Sequence, residues 1–321
     1  MASGTRQVAL AALAAASLAL QTFAADPYPT KPVRVVVAAG PGGTDDIAAR
    51  VVTARMSELL GQQFYVENRP GAGGSIAQNF VMRSPPDGYT LLIAGGSMAG
   101  ARFANANVTY DVLNDFTPIS LLGTNAFVLV ANPALPVKDL KGLIAHAKAN
   151  PGKLSHGTIG AGQIPYWSVT LFNTMAGIKV LEVPYKATAD VLSDVIAGRV
   201  DYYIAGVGSI LPLKDKLRVL GVTTSARDVA LPEVPSISET LPGYDMPAWV
   251  SMMGPAKMQP EHVQLLSKTI AQSLATPEVR DRYLKAGFIA TPSTPEALRQ
   301  RYEYWMGVFG KIAKDVGLKP Q

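Results

Sequence analysis

Residues 33–61, VRVVVAAGPGGTDDIAARVVTARMSELLG, contain the pattern that decides the fold. Residues 33–38 are β-branched and almost continuously apolar, which is typical of a strand covered on both faces of a sheet. After the glycines the apolar residues recur at helical spacing, as Ala48, Val52, Met56, Leu59 and Leu60. Gly61 then stands where the C-terminal cap of a helix belongs. A strand, a glycine-rich loop and a helix in this order predict one unit of an α/β fold.

The same alternation continues along the chain. Further strands are predicted at 64–66, 89–94, 126–131, 154–158, 180–183, 200–204 and 219–223, and helices at 140–149, 165–176 and 189–197. From 261 to 314 the pattern predicts only helices, broken at Thr276-Pro277 and at 291–295. Two alternating blocks followed by helices predict two α/β lobes on open, mostly parallel sheets. Such sheets bind ligands at the carboxyl ends of their strands, so the loops there are the candidate sites.

Composition excludes several classes of protein. Lys and Arg number 29 against 24 Asp and Glu, and these residues are interleaved along the chain, so we expect no nucleic-acid partner. The absence of Cys excludes a disulfide, a thiolate nucleophile and Cys-ligated metal. The three histidines, His146, His156 and His262, do not pair at metal-ligand spacing, so we expect no metal and no cofactor.

The N-terminus has the pattern of a secretory signal peptide. Arg6 precedes an apolar run at 8–20, and Thr22-Phe23-Ala24 places small residues where a signal peptidase cleaves. A membrane anchor is the alternative, but it needs about 20 apolar residues and this run is shorter. We expect residues 1–25 to be removed and the remaining protein to be exported to the periplasm.

The loop at 40–46, GPGGTDD, suits an anion. Its glycines allow backbone N–H groups to approach a ligand closely, and the start of the following helix adds a partial positive charge. The loop lacks the Gly-Lys-Ser/Thr of a Walker A sequence and the third glycine of a dinucleotide fingerprint. The alternative is that the glycines only make a tight turn and that Asp45 or Asp46 only caps the helix.

Two further glycine-rich stretches follow. At 68–75 the chain reads NRPGAGGS, and Ser75 is a candidate N-cap for a helix through Arg83, so this stretch is predicted to be architectural. Residues 157–163, GTIGAGQ, again follow a predicted strand and precede a predicted helix. Two such loops in separate lobes predict a cleft that holds one small anion from both sides.

An exported serine hydrolase is an alternative reading of the same residues. Ser97 lies in a GGSMA run that partly matches a nucleophile elbow, although the second glycine of that motif is absent. His156 or His262 becomes its partner only if the fold brings them together. The aromatic and apolar residues Tyr302, Trp305, Val308 and Phe309 are predicted to form the face of a helix that packs on a lobe.

Nine segments carry a resemblance to a known family. They are PGGTDDIAAR (41–50), VENRPGAGGSIA (66–77), PDGYTLL (86–92), NDFTPIS (114–120), AKANPGKL (147–154), VPYKATADVLSDVIAGRVD (183–201), LRVLGVTT (217–224), LPEVPSISE (231–239) and PGYDMPAWV (242–250). In this order they make the chain resemble the Bug family, the periplasmic solute receptors of tripartite tricarboxylate transporters, over essentially all of the sequence after the N-terminal segment.

The resemblance implies a type II periplasmic binding-protein fold with two α/β lobes and a ligand cleft between them. It places one lobe at 31–125 plus 251–321 and the other at 126–250. It also implies a monomeric receptor, not an enzyme, which binds a small organic carboxylate and delivers it to the membrane subunits of a secondary transporter. A sensor component that binds the same class of ligand has the same site and remains an alternative.

Residues of the family site carry over to this chain position by position. The implied ligand-binding residues are Ala38, Ala39, Gly40, Gly43, Asp45, Ser97, Thr158, Ile159, Gly160, Gln163, Tyr166, Asp190 and Ala205. Asp46 matches an acid of the family and is expected to fix its loop rather than to contact ligand. Several positions depart from the family pattern, namely Ala39, Asp45, Gln163, Tyr166, Trp167, Ala187, Asp190 and Ala205.

These departures suggest a ligand. Ala39 removes bulk, so we expect room for a longer or ring-bearing acid whose apolar body lies against Tyr166 or Trp167. Asp45 disfavours a second negative charge, which favours a monocarboxylate, or an acid whose amino group pairs with Asp45, over citrate-like ligands. The alternative is that Asp45 points into solvent as a helix cap and that Trp167 is buried away from the cleft.

Overall fold

The computed structural model describes residues 28–160 and 162–320, so the predicted signal peptide lies outside the described residues. Lys31–Gln321 form one compact unit. The strands are β1 (Val33–Val37), β2 (Phe64–Asn68), β3 (Thr90–Gly95), β4 (Phe116–Asn125), β5 (Phe127–Ala131), β6 (Ser155–Thr158), β7 (Leu181–Pro184), β8 (Tyr202–Gly206), β9 (Arg218–Val222), β10 (Ala248–Pro255) and β11 (Ile289–Ala290).

The helices separate these strands. They are α1 (Thr44–Leu60), α2 (Ser75–Met82), α3 (Ser97–Ala104), α4 (Leu140–Ala149), α5 (Ile164–Ala176), α6 (Thr188–Ile196), α7 (Val207–Ile210), α8 (Pro260–Ala275), α9 (Pro277–Lys285) and α10 (Pro295–Asp315). Among these helices none is both long and apolar enough to cross a lipid bilayer, a finding that covers the described residues only.

The strands form two sheets. The first has the order β11-β4-β10-β3-β1-β2 and the second the order β7-β6-β8-β5-β9. We call the elements built on the first sheet the first lobe and those built on the second sheet the second lobe. The chain passes from the first sheet to the second between β4 and β5, and returns between β9 and β10. The lobe boundaries at 125/126 and 250/251 stay a prediction.

Each sheet is mixed, and thus less parallel than the sequence pattern predicts. In the first sheet β1 is parallel to β2 and β3, whereas β10 is antiparallel to β3 and β4. In the second sheet β6 is parallel to β7 and β8, whereas β5 is antiparallel to β8 and β9. The parallel pairs are joined by helices, as the alternating pattern requires.

Eight of the strands coincide with predicted ones, and β4, β10 and β11 were not predicted. β4 contains Pro118 and Gly123, which interrupt an apolar strand pattern, and the register with β10 shifts beside Pro118. β11 has only two residues and corrects the prediction that 261–314 is entirely helical. A second correction concerns Ser75, because Gly74 is the N-cap of α2 and the Ser75 hydroxyl donates to the Ala72 carbonyl at 2.9 Å.

A chain of aromatic rings joins the two lobes. Trp249 of β10 lies 5.3 Å from Trp305, Trp305 lies 5.6 Å from Phe309, and Phe309 lies 5.0 Å from Trp167 of α5, measured between ring centroids. Tyr302, Trp305 and Phe309 are all buried, which confirms that this face of α10 packs in the core. The ring chain therefore fixes α10 of the first lobe against the helix that follows β6 in the second.

Candidate ligand-binding site

The carboxyl ends of β1 and β3 lie side by side in the first sheet, and each continues into a helix. Residues 38–43 connect β1 to α1, and Gly96 connects β3 to α3. In the second lobe β6 continues through 159–163 into α5. The two lobes meet here, because a Cβ placed on Gly162 would lie 3.3 Å from the Ala104 side chain of α3.

The helices that begin at this edge lack side-chain caps. Their N-cap residues are Gly43, Gly96, Gln163 and Ala187, and none of these side chains accepts a hydrogen bond from its helix. Helix α4, which begins at the far end of the second sheet, has such a cap, because the Asp139 side chain accepts from the Gly142 N–H at 2.7 Å, whereas α8 at the far end of the first sheet has none. The N–H groups of the cleft helices thus remain available to an anion.

Asp46 fixes the first loop, as the family resemblance implies. Its carboxylate is buried and accepts from the Gly42 N–H at 2.9 Å, from Arg50 Nε at 3.0 Å and from Asn68 Nδ2 at 2.8 Å. Asn68 Nδ2 also donates to the Ala39 carbonyl at 3.0 Å. Burial alone raises the pKa of Asp46, but the hydrogen bonds from Arg50, Gly42 and Asn68 outweigh it and lower that pKa. Asp46 is therefore an ionised brace of the first loop.

Asp45 lies in a different environment. A Cβ placed on Gly95 would lie 3.3 Å from Asp45 Oδ2 and 3.7 Å from Ser97 Oγ, so Asp45 and Ser97 approach the same point at the end of β3. Burial raises the pKa of Asp45 to about 6. Neither Asp45 nor Asp46 caps α1, because its N-cap is Gly43. The alternative that Asp45 is a helix cap in solvent is therefore wrong.

The remaining residues of the first loop pack closely. The Gly43 N–H donates to the Gly40 carbonyl at 3.3 Å, and a Cβ on Gly43 would lie 3.2 Å from that oxygen. The Ala38 methyl group lies 3.3 Å from the position that a Cβ on Gly74 would take. The stretch that contains Gly74 thus supports the first loop, in agreement with its predicted architectural role.

An indole N–H holds the second loop. Trp167 Nε1 donates to the Gly162 carbonyl at 3.0 Å, and the Trp167 ring is fully buried against Phe309. Gly160 and Gly162 have φ of 122° and 90°, which side chains disfavour. The buried Trp167 ring has no exposed face for the body of a ligand, so the structure favours the alternative in which Trp167 is buried.

The other residues of the second lobe that were predicted to bind ligand occupy different environments. The Thr158 carbonyl accepts from the Tyr185 N–H at 2.7 Å, and within the described chain the buried Thr158 Oγ1 has no hydrogen-bond partner. Ile159 is partly buried against the core of the second lobe, and Gln163 is partly exposed as the N-cap of α5. Ala205 is 1% exposed and belongs to that same core.

Tyr166 and Asp190 are not brought together with the first loop. Tyr166 lines a cavity of about 860 Å³ with His156, Thr170 and Asn173, and no residue of 38–46 lines it. Asp190 is exposed and lines a surface pocket with Lys186. Within the residues that the structure describes, no group of three or more His, Asp or Glu is placed to hold a metal ion.

The sequence analysis missed residues that shape the site. Asn68 ends β2 at the edge where β1 and β3 also end, so the strand-end argument identifies it as soon as the sheet order is known. Arg50 lies one helical turn after Asp46, and this spacing indicates an ion pair on one helix face. The Trp249 carbonyl, which accepts from the Gly96 N–H at 2.9 Å, leaves no signal in the sequence.

Two α/β lobes with uncapped helix starts facing one cleft define a periplasmic binding protein of the type II fold. The family description "Tripartite tricarboxylate transporter family receptor" (TctC) matches residues 48–301, and the chain belongs to this family.

Individual relatives agree with this assignment. The chain is 31% identical to Protein BugT from Bordetella pertussis over 88% of this chain and 90% of BugT. Among solved structures, Rpa4515 from R. palustris with adipate has a TM-score of 0.83 and 32% identity, covering 92% of this chain and 100% of that one. MatC (Rpa3494) from Rhodopseudomonas palustris with bound malate has a TM-score of 0.78 and 29% identity, covering 89% of this chain and 100% of that one.

Proposed function

We propose that this protein is an extracytoplasmic receptor that binds a small organic carboxylate between its lobes and delivers it to the membrane subunits of a tripartite transporter. One observation carries the proposal: the helices that start at the cleft in both lobes have no side-chain caps. Backbone N–H groups and the partial positive charge of a helix start favour an anion. The solved structures of Rpa4515 with adipate and of MatC with bound malate support a carboxylate as the ligand class.

Hydrogen bonds within the protein prepare the first loop for binding. The ionised Asp46 keeps the Gly42 N–H and the Ala39 carbonyl in place, so the turn before α1 is formed before ligand arrives. A ligand that contacts both lobes stabilises the closed arrangement only through contacts that the open arrangement lacks. Pre-formed loops reduce the ordering entropy that binding costs.

We propose binding without catalysis. Ser97, the candidate nucleophile, has Asp45 as its neighbour at the end of β3. His156, a candidate triad base, is buried in β6 of the second lobe, where its ring lies 5.8 Å from Tyr202 and its Nδ1 lies 3.2 Å from the Gly157 carbonyl. Burial lowers the pKa of His156. Substrate turnover by the purified protein would overturn this part of the proposal.

We also propose that the protein is exported and monomeric, and that its signal peptide is cleaved after Ala24 or Ala25. The small residues Thr22 and Ala24, which follow the apolar run, support this cleavage site. N-terminal sequencing of protein from the periplasmic fraction should start at Ala25 or Asp26, and a start at Met1 would contradict it. Light scattering should give the mass of one chain.

A thermal-shift screen of organic acids tests the receptor function. A ligand at about 100 times its dissociation constant stabilises the folded state by roughly 2.7 kcal/mol. Each kcal/mol raises the melting temperature of a protein of this size by about 2 to 4 °C. We expect at least one carboxylate to produce such a shift, and a panel that produces none would overturn the proposal.

The variant Gly43→Val tests whether the ligand that causes this thermal shift binds at the first loop. A Cβ at Gly43 would already lie 3.2 Å from the Gly40 carbonyl oxygen, so valine obstructs the backbone donors at the start of α1. We expect the ligand-induced shift to disappear while the protein still unfolds cooperatively. Gly142→Ala in α4, at the far end of the second sheet, is the control and should keep the shift. A normal shift in Gly43→Val would show that the site lies elsewhere.

A further inference from the structure

Three oxygen atoms converge at the end of strand β3, where Gly95 has no side chain. A Cβ placed on Gly95 would lie 3.3 Å from Asp45 Oδ2, 3.7 Å from Ser97 Oγ and 3.7 Å from the Trp249 carbonyl oxygen. Carboxylate, hydroxyl and carbonyl oxygens all accept hydrogen bonds. The glycine therefore leaves a small space that is bordered by acceptors and carries one negative charge.

The two side-chain acceptors of this space, Asp45 and Ser97, receive no donor from the described residues. Across the described residues no hydrogen bond or ion pair involves the side chain of Asp45 or of Ser97. The Trp249 carbonyl accepts from the Gly96 N–H at 2.9 Å, and a carbonyl oxygen has two lone pairs. The titratable group that interacts with Asp45 is Tyr302 of α10, whose hydroxyl lies 3.0 Å from Ser251 Oγ.

The lack of donors is specific to Asp45 and does not extend to the neighbouring aspartate. Asp46, one residue further along, receives donors from Gly42, Arg50 and Asn68. Burial raises the pKa of Asp45 to about 6, because nothing within the protein compensates its charge. A partly buried carboxylate without a cation is unfavourable for the folded protein, and a ligand that brings a cation removes this penalty.

We propose that Asp45, Ser97 and the Trp249 carbonyl form an ammonium subsite, so that the receptor takes a carboxylate that also bears an amino group. This inference rests on the proposed receptor function and specifies its substrate class. An ammonium group has three N–H donors, which match the three acceptors in number. The carboxylate of the same ligand is bound by the uncapped helix starts. A ligand that places a second carboxylate at this subsite meets repulsion from Asp45.

Matched pairs of ligands test the subsite. Linear carboxylic acids of three to six carbons are compared with the same acids that carry an amino group at position 2 or at the far end, using calorimetry at pH 7.5. We expect at least one amino form to bind about tenfold more tightly than its plain partner. In Asp45→Asn, this preference should fall to about twofold or less. Asp215→Asn makes the same charge change on the exposed 3₁₀ turn before β9, at the far end of that strand, and should keep the preference.

Gly95→Ala tests the position of the subsite without changing any charge. Its methyl group would occupy the point between the three oxygens, so the amino form should lose about tenfold in affinity while its plain partner loses less than twofold. Melting curves of both variants establish that they fold. Proton release measured at pH 6 in buffers of different ionisation enthalpy gives a further readout, because an ammonium ion displaces the proton from Asp45. Asp45→Asn should abolish this release.

The outcomes separate the two proposals. If carboxylates bind but no amino form is preferred, or if the preference survives in Asp45→Asn, the ammonium subsite is wrong and the receptor function stands. If no carboxylate in the panel binds, the receptor function itself is wrong, and the subsite with it.

Discussion

The loops after β1 and β6 are both glycine-rich and both lead into an uncapped helix, but different chemistry holds them. In the first lobe, the carboxylate of Asp46 gathers donors from Gly42, Arg50 and Asn68. In the second lobe, the indole N–H of Trp167 holds the Gly162 carbonyl, and the ring is fixed by packing on the first lobe. The first loop is thus held within its own lobe, whereas the second is held through a contact between lobes.

This difference has a consequence for closure. The Trp167 ring contacts Phe309 of α10, and a Cβ on Gly100 of α3 would lie 2.6 Å from Trp167 Nε1. The order of the second loop therefore depends on the approach of the lobes, and the order of the first does not. The following predictions test this contrast, beginning with the largest expected effect.

Asp46→Ala should have the largest effect, because it leaves three donors without their acceptor. We expect the free energy of unfolding to fall by about 3 kcal/mol and carboxylate binding to be lost. Urea unfolding and calorimetry measure the two effects. Asp46→Asn keeps one acceptor oxygen and should lose less stability. Full binding by a folded Asp46→Ala protein would show that the first loop does not need this brace.

The family resemblance identified Asp46 as a brace, but of its side-chain partners Arg50 lies one helical turn away and Asn68 lies on another strand, and neither was predicted. Eight strands and the cap at Gly61 (φ 65°) were predicted from local patterns of apolar residues and glycine.

Sequence reasoning could not place Trp167, because the contacts that bury the ring come from Gly100 and Phe309, far away in the sequence. The direction of the Asp45 side chain could not be predicted either, because the group it approaches, Gly95 at the end of β3, is also far away in the sequence.

Lowering the pH should change the stability contributions of the two adjacent aspartates, Asp45 and Asp46, in opposite directions. The pKa of Asp45 is raised from 3.8 to about 6 in the folded state, so the folded protein binds this proton more tightly than the unfolded chain. As the pH falls from 7 to 4, wild type should gain stability relative to Asp45→Asn, by up to about 2 kcal/mol. Asp46 has a lowered pKa, so its contribution is lost as the pH falls through that pKa. Urea unfolding at several pH values measures the difference, and parallel curves would contradict the raised pKa.

Trp167→Phe keeps an aromatic ring but removes the donor to the Gly162 carbonyl. We expect a loss of about 1 kcal/mol in stability and a larger relative loss in ligand affinity, because the free second loop has to be ordered on binding. Trp305→Phe is the control: among the described hydrogen bonds none involves the Trp305 indole, so it should change affinity little. Equal affinity losses in the two variants would show that ring packing, and not the N–H, holds the loop.

The smallest expected effect comes from changing the helix starts at the two ends of the second lobe. Gln163→Asp places a capping side chain at the uncapped start of α5, and it should stabilise the fold by about 0.5 to 1 kcal/mol. The new carboxylate occupies the N–H groups and repels an anion, so the affinity for a carboxylate should fall. Asp139→Ala is the reverse change at the far end, where the cap on Gly142 is lost, and it should cost about 1 kcal/mol with affinity unchanged. If Gln163→Asp gains stability and keeps its affinity, the start of α5 is not where the carboxylate binds, and the first lobe alone holds the anion.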